Sequence, residues 1–140
     1  MAQPLLAQLS TAVDGIRLSI HVLAATIWVG GQFSVAGLLP TVRRLGADAP
    51  KQIANAFSRI MWPAYFVLLV TGVWNVAATN KGQPHAWKVL LGVKIAVVLL
   101  SGLAAWLHSY STSRKGLAIW GAASGLTAAT ALVLGVFLAG

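Results

Sequence analysis

The 140-residue chain is 58% hydrophobic and 9% charged, against about 25% charged residues in an ordinary soluble domain, and a soluble fold has too little interior to hide that much apolar surface. Ten Lys and Arg stand against two acids, Asp14 and Asp48, for a net charge of +8; because these charges lie between long apolar runs, they call for lipid headgroups and not nucleic acid. Cysteine is absent, which excludes a disulfide framework and a thiolate metal site.

A helix needs roughly 20 apolar residues to cross a hydrocarbon core, and backbone in lipid must satisfy its own hydrogen bonds, so long apolar runs are helical. Four runs qualify, at residues 15–39, 60–78, 87–107 and 116–138. Short polar connections favour an all-α, up-down-up-down four-transmembrane-helix bundle, with residues 1–140 forming a single membrane domain.

Residues 1–11 lack a basic n-region and the first run is too long for a signal-peptide core, so the first span is expected to stay in the mature protein. Asp14 reads as its N-cap and Pro40 as its stop. A helical step of about 100° per residue places Arg17, His21, Trp28 and Gln32 in one narrow stripe. Ionisable groups inside a span are costly, and this makes them the first candidates for function. A neutral imidazole at His21, about 10 Å into the span at 1.5 Å per residue, is a good iron or copper ligand. The competing reading is a histidine hydrogen-bonded to a neighbouring helix.

The next connection, residues 41–58, carries Arg43, Arg44 and Lys51 and an amphipathic stretch at residues 52–57 that is expected to lie at the interface. The second helix adds Thr71 and Asn75 as polar positions. Pro84 starts the third helix, where Trp87, Lys94, Ser101 and His108 form a second stripe. Lys94 lies about two turns into that span and requires an anionic partner unless it snorkels outward or pairs with Asp14. Its half of the membrane holds Arg17, Lys81, Lys88 and Lys94 but only Asp14 to neutralise them, so an anionic ligand such as a haem propionate or phosphate headgroup would restore balance. His85 and His108 stand at opposite ends of the third helix, roughly 35 Å apart by helical rise, and cannot share a metal. In the fourth helix Gly121 and Gly125 make a small-xxx-small packing pattern.

The positive-inside rule compares Arg43, Arg44, Lys51, Arg59, Arg114 and Lys115 on one side with Arg17, Lys81 and Lys88 on the other, which favours both termini outside the cytoplasm. There is no nucleotide-binding glycine loop, no pair of carboxylates and no Ser-His-Asp set, which makes hydrolytic enzymes poor candidates.

Across nearly its whole length the sequence resembles the copper-resistance D (CopD) family. The segment His21-Val22-Leu23-Ala24-Ala25-Thr26-Ile27-Trp28-Val29-Gly30-Gly31 is similar to that family's first-helix motif, Phe57-Ser58-Arg59 and Thr71-Gly72-Val73 to its second-helix landmarks, and Leu90-Leu91-Gly92-Val93-Lys94 to its third. More distantly, His21, Trp28, the Leu39-Pro40 ending and Lys94 resemble the HemJ-type protoporphyrinogen oxidases, small membrane proteins that bind b-type haem. These resemblances imply a bacterial cytoplasmic-membrane protein. They point to His21 as a ligand of haem b or a metal and to Lys94 as a structural or propionate-pairing partner. With the charge reading, the expectation is a redox or metal-handling site near the non-cytoplasmic side in which His21, alone or with His85, ligates iron, Arg17, Lys88 and Lys94 neutralise propionates and Trp28 lines the cofactor. An enzyme of this kind would be a haem-dependent oxidoreductase.

Copper is the alternative that the family name implies. Cu(I) favours thiolate and thioether donors, and here these reduce to Met1 and Met61, which leaves Cu(II) held by His21 and His85. A third reading is a non-catalytic subunit of a larger membrane complex, or a homo-oligomer, since four helices leave little mass outside the bilayer.

Overall fold

The computed structural model describes residues 2–79 and 81–139, with side chains described from residue 9 onward. The chain forms α1 (Ala2–Arg44), α2 (Ala49–Thr79), α3 (His85–Tyr110) and α4 (Arg114–Ala139). No strand occurs among the described residues. All four helices contain stretches long and apolar enough to cross a membrane: Leu9–Arg44, Ala49–Thr79, His85–Tyr110 and Arg114–Ala139. The expected all-α, four-helix membrane class is therefore the observed one.

The helices are longer than the apolar runs alone suggest. Asp14 does not cap α1; it lies inside the helix, three residues before its ion-pair partner Arg17. Pro40 does not end α1, which continues to Arg44. A proline removes one hydrogen bond from a helix, and neighbouring groups or water absorb that loss readily near a membrane surface. Pro63 is likewise accommodated inside α2. Residues 52–57, expected as a separate interfacial stretch, form the first turns of α2 after Pro50, a position where a missing N–H costs nothing.

Local chemistry explains the breaks. Gly46 and Gly82 adopt positive φ in the first two connections, a conformation that L side chains resist. Pro84 is the N-cap of α3, as its position suggests. Ser113 caps α4 by accepting a hydrogen bond at Oγ from the Gly116 N–H, 3.0 Å away.

Burial runs opposite to that of a soluble protein. The most enclosed positions are small or polar, with Ser101 at 1% and Ser124 at 2% exposed, while Val73 at 71% and Phe137 at 69% face outward. In water such a surface would aggregate. In lipid, apolar side chains gain nothing from leaving the tails, and small residues line the contacts because they let backbones approach.

The chain divides into two compact units. The first comprises Met1–Gly31 and Leu39–Lys81, and the second Gln32–Leu38 and Gly82–Gly140. The first is an α1–α2 pair. The second is the α3–α4 hairpin with a two-turn segment of α1.

Candidate functional site

In the first unit, the α1 residues Arg17, His21, Ala24, Trp28 and Gly31 follow alternating steps of four and three, which keeps them on one face. On α2 the corresponding series is Met61, Ala64, Leu68, Thr71 and Asn75. The two series meet antiparallel. His21 bonds Thr71, Trp28 stacks beside Tyr65, and Gly31 abuts Met61 and Phe57. Arg17, Ala24, Trp28, Met61, Ala64, Tyr65, Leu68 and Thr71 are all buried.

The polar end of this seam begins at His21, whose Nδ1 lies 2.8 Å from Thr71 Oγ1. Thr71 Oγ1 donates to Val67 O at 2.7 Å. A hydroxyl carries one proton, and once it is given to Val67 the oxygen accepts from His21 Nδ1–H. In that arrangement the imidazole is the Nδ1–H tautomer, with Nε2 as its acceptor nitrogen. Metal-bound histidines are typically oriented by this kind of bond from the other ring nitrogen. His21 also engages further neighbours. Gly72 packs by the imidazole, since a Cβ placed there would lie 3.5 Å from His21 Cε1.

One turn toward the N-terminus of α1, Arg17 is 3% exposed. Its Nη1 lies 3.1 Å from Asp14 Oδ1. Its Nε and the Asn75 Oδ1 are the buried side-chain polar atoms that lack a hydrogen-bond partner among the described residues. Toward the other end, an aromatic cluster closes the seam. Trp28 and Tyr65 have ring centroids 4.5 Å apart, Trp28 and Trp62 5.7 Å, and Trp62 and Tyr65 meet edge to face at 5.8 Å.

The second unit uses its polar stripe differently. Each member, spaced by seven residues along α3, meets α4. Trp87 Nε1 donates to Leu138 O at 3.1 Å, and Ser101 Oγ donates to Ser124 O at 3.1 Å. Ser124 Oγ returns a bond to Ser101 O at 3.0 Å and reaches Gln32 Oε1 at 2.8 Å. His108 Nδ1 donates to Leu117 O at 2.9 Å. Lys94 packs over Gly135, where a Cβ would lie 2.9 Å from its Nζ. Gly135 lies in the last turns of α4, the negative end of that helix dipole. His85 and Lys88 are exposed at the start of α3.

Of the residues singled out from sequence, the structure thus gathers Arg17, His21 and Trp28 on the α1–α2 seam. Lys94 lies on the α3–α4 seam, with His85 and Lys88 on the surface of that unit. Sequence reasoning named Thr71 and Asn75 as polar positions but missed Thr71 as the partner that orients His21 and Asn75 as a member of the same seam. The spacing of Met61, Leu68 and Asn75 by seven residues was the available signal.

These donor sets bear on the expected cofactors. Among the described residues no three His, Cys, Asp or Glu side chains gather to hold a metal ion. A porphyrin brings its own four nitrogens and would ask the protein for an imidazole ligand and for polar groups at its carboxyl edge. His21, oriented through Nδ1, and Arg17 fit that demand.

Four apolar helices whose polar and small residues turn inward along two seams define a multi-pass α-helical protein of the lipid bilayer. No family model, curated protein or solved structure matches the chain.

Proposed function

We propose that this membrane protein binds a b-type haem through His21, with Arg17 beside a propionate, in a redox or metal-handling role. The observation that carries the reading is the 2.8 Å contact with Thr71, which fixes the imidazole's orientation; with Nδ1–H donating to Thr71, Nε2 is the acceptor nitrogen. Buried Arg17 lies one turn away on the same face of α1. The resemblance of the His21–Gly31 segment to the CopD family, and of His21 and Trp28 to the HemJ-type oxidases, supports the same assignment. Bound iron would supply one-electron chemistry. The protein's own share would be to hold the group through the His21 imidazole, to hydrogen-bond its carboxyl edge through Arg17 and to wall off lipid with Trp28 and Tyr65.

The basic loops favour both termini outside the cytoplasm, in a bacterial cytoplasmic membrane. This orientation places the His21 end of the α1–α2 seam toward the non-cytoplasmic face. The reading is tested by the absorption spectrum of protein purified from haem-replete membranes. A Soret band that disappears in His21→Ala supports it, and a colourless wild-type preparation refutes it.

A further inference from the structure

The antiparallel register places Arg17 and Asn75 at one level. Arg17 is one turn before His21 on α1, and Asn75 is one turn after Thr71 on α2, and His21 and Thr71 are themselves bonded. Both lie on the α1–α2 seam, Arg17 buried and Asn75 half-buried. At this level a buried donor, Arg17 Nε–H, and a buried acceptor, Asn75 Oδ1, both lack partners among the described residues. Two orphaned groups in one layer are costly, more so in a lipid-embedded pair of helices than in water.

We infer that this layer is a binding site for the carboxyl group of an amphiphilic acid, with Arg17 Nε–H donating to its carbonyl oxygen and its O–H donating to Asn75 Oδ1. Asp14, 3.1 Å from Arg17 Nη1, already balances the guanidinium charge, so the remaining demand is for a neutral group with an acceptor and a donor side by side. A protonated carboxyl group meets it. A second anion would meet the Arg17 Nε–H but press against the Asn75 oxygen. Asn75 lies four residues before the end of α2 at Thr79, about 6 Å by helical rise, a depth that an acid can reach while its apolar body stays among the tails.

Two sources share this chemistry, a porphyrin propionate and a fatty acid. The inference rests on the preceding reading only where the porphyrin is the source.

The test uses the full chain in nanodiscs. Oleic acid, oleamide and methyl oleate are titrated against tryptophan fluorescence, and haem and haem dimethyl ester against absorbance. The amide keeps a neutral donor–acceptor pair, whereas the esters keep the acceptor and lose the donor. Acid and amide are expected to bind about tenfold tighter than ester, the loss of one buried hydrogen bond. Asn75→Leu, which keeps the volume and removes the acceptor, is expected to bring all three oleoyl probes to the affinity of the ester while its thermal unfolding midpoint does not fall.

Equal binding of acid and ester, loss of binding by the amide, or no binding of any probe overturns the inference. The two oleoyl and haem arms fail separately. Haem binding without preference over its dimethyl ester removes the carboxyl site and leaves the axial role of His21 standing; an oleoyl preference without haem binding does the reverse.

Discussion

His21 Nδ1 and Thr71 Oγ1, fifty residues apart in the chain, lie 2.8 Å from each other across the α1–α2 seam. The bond serves two ends at once. It gives a histidine inside a membrane span a hydrogen-bond partner, and it fixes the orientation of the imidazole ring.

Replacing Thr71 with Val keeps the shape and removes the acceptor for Nδ1–H. Hydrogen bonds between membrane helices are worth about 0.6 kcal/mol on average and up to ~1.7. Thr71→Val is therefore expected to lower stability by about 1 kcal/mol, and Thr71→Ser by less because the hydroxyl survives. Reversible unfolding in mixed micelles measures both.

Gly31 is a tight contact in the same seam, since a Cβ there would lie 2.6 Å from Met61 Sδ and 2.8 Å from Phe57 Cε1. Both atoms are side-chain atoms and can yield. Gly31→Ala is expected to cost about 1 kcal/mol, within the usual range for overpacking. Met61→Ala in the same chain is expected to recover most of that cost, so a double-mutant cycle should show a coupling of similar size.

On the α3–α4 seam, Ser101 and Ser124 exchange hydrogen bonds with each other's carbonyls and are almost fully enclosed. Ala at Ser101 fits the space and is expected to cost at most about 1 kcal/mol. Leu forces the backbones apart and is expected to cost about 3 kcal/mol. Thermal unfolding of the two variants checks the order.

Lys94 packs against Gly135 with no carboxylate partner among the described residues. A half-buried ammonium in a span is a cost that an apolar residue of similar length avoids. Lys94→Met is therefore expected to leave the ligand-free protein as stable as wild type or more stable by about 1 kcal/mol, measured in the same micelle assay. A marked loss of stability would show that Lys94 holds the hairpin together.

The chain has no cysteine, so single-cysteine variants report topology cleanly. With both termini outside, Ser113→Cys in the connection between α3 and α4 is expected to react with impermeant maleimide only from the cytoplasmic side. Lys81→Cys in the connection between α2 and α3 is expected to react from the opposite side.

Composition and run length sufficed for the number of helices and their membrane setting, because the requirement for a satisfied backbone in lipid leaves few alternatives. Helix ends were less legible. Asp14 and Pro40 carry the residue types of a cap and a stop, but α1 extends past both because lipid and interface tolerate a missing hydrogen bond and no turn residue breaks the chain before Gly46.

Arg17, His21 and Trp28 share one face of α1, but Gln32, expected in the same stripe, turns to Ser124 in the second unit, and the fates of the polar groups diverged for a reason that spacing cannot contain. Trp87, Ser101 and His108 find backbone carbonyls on α4, whereas His21 finds a hydroxyl, and Arg17 keeps an unpartnered Nε. Which partner faces a polar group depends on the register between helices. That register becomes visible only once His21–Thr71 and Gly31–Met61 are seen to belong to one seam.

The central claim is that His21 Nε2 is an axial ligand, and chemical rescue tests it most directly. His21→Gly purified from haem-replete membranes should lack the Soret band of the wild type, and added imidazole should restore it by entering the space of the missing side chain. A His21→Gly variant that retains full haem occupancy without imidazole, or a wild-type protein that binds no haem, would contradict the account.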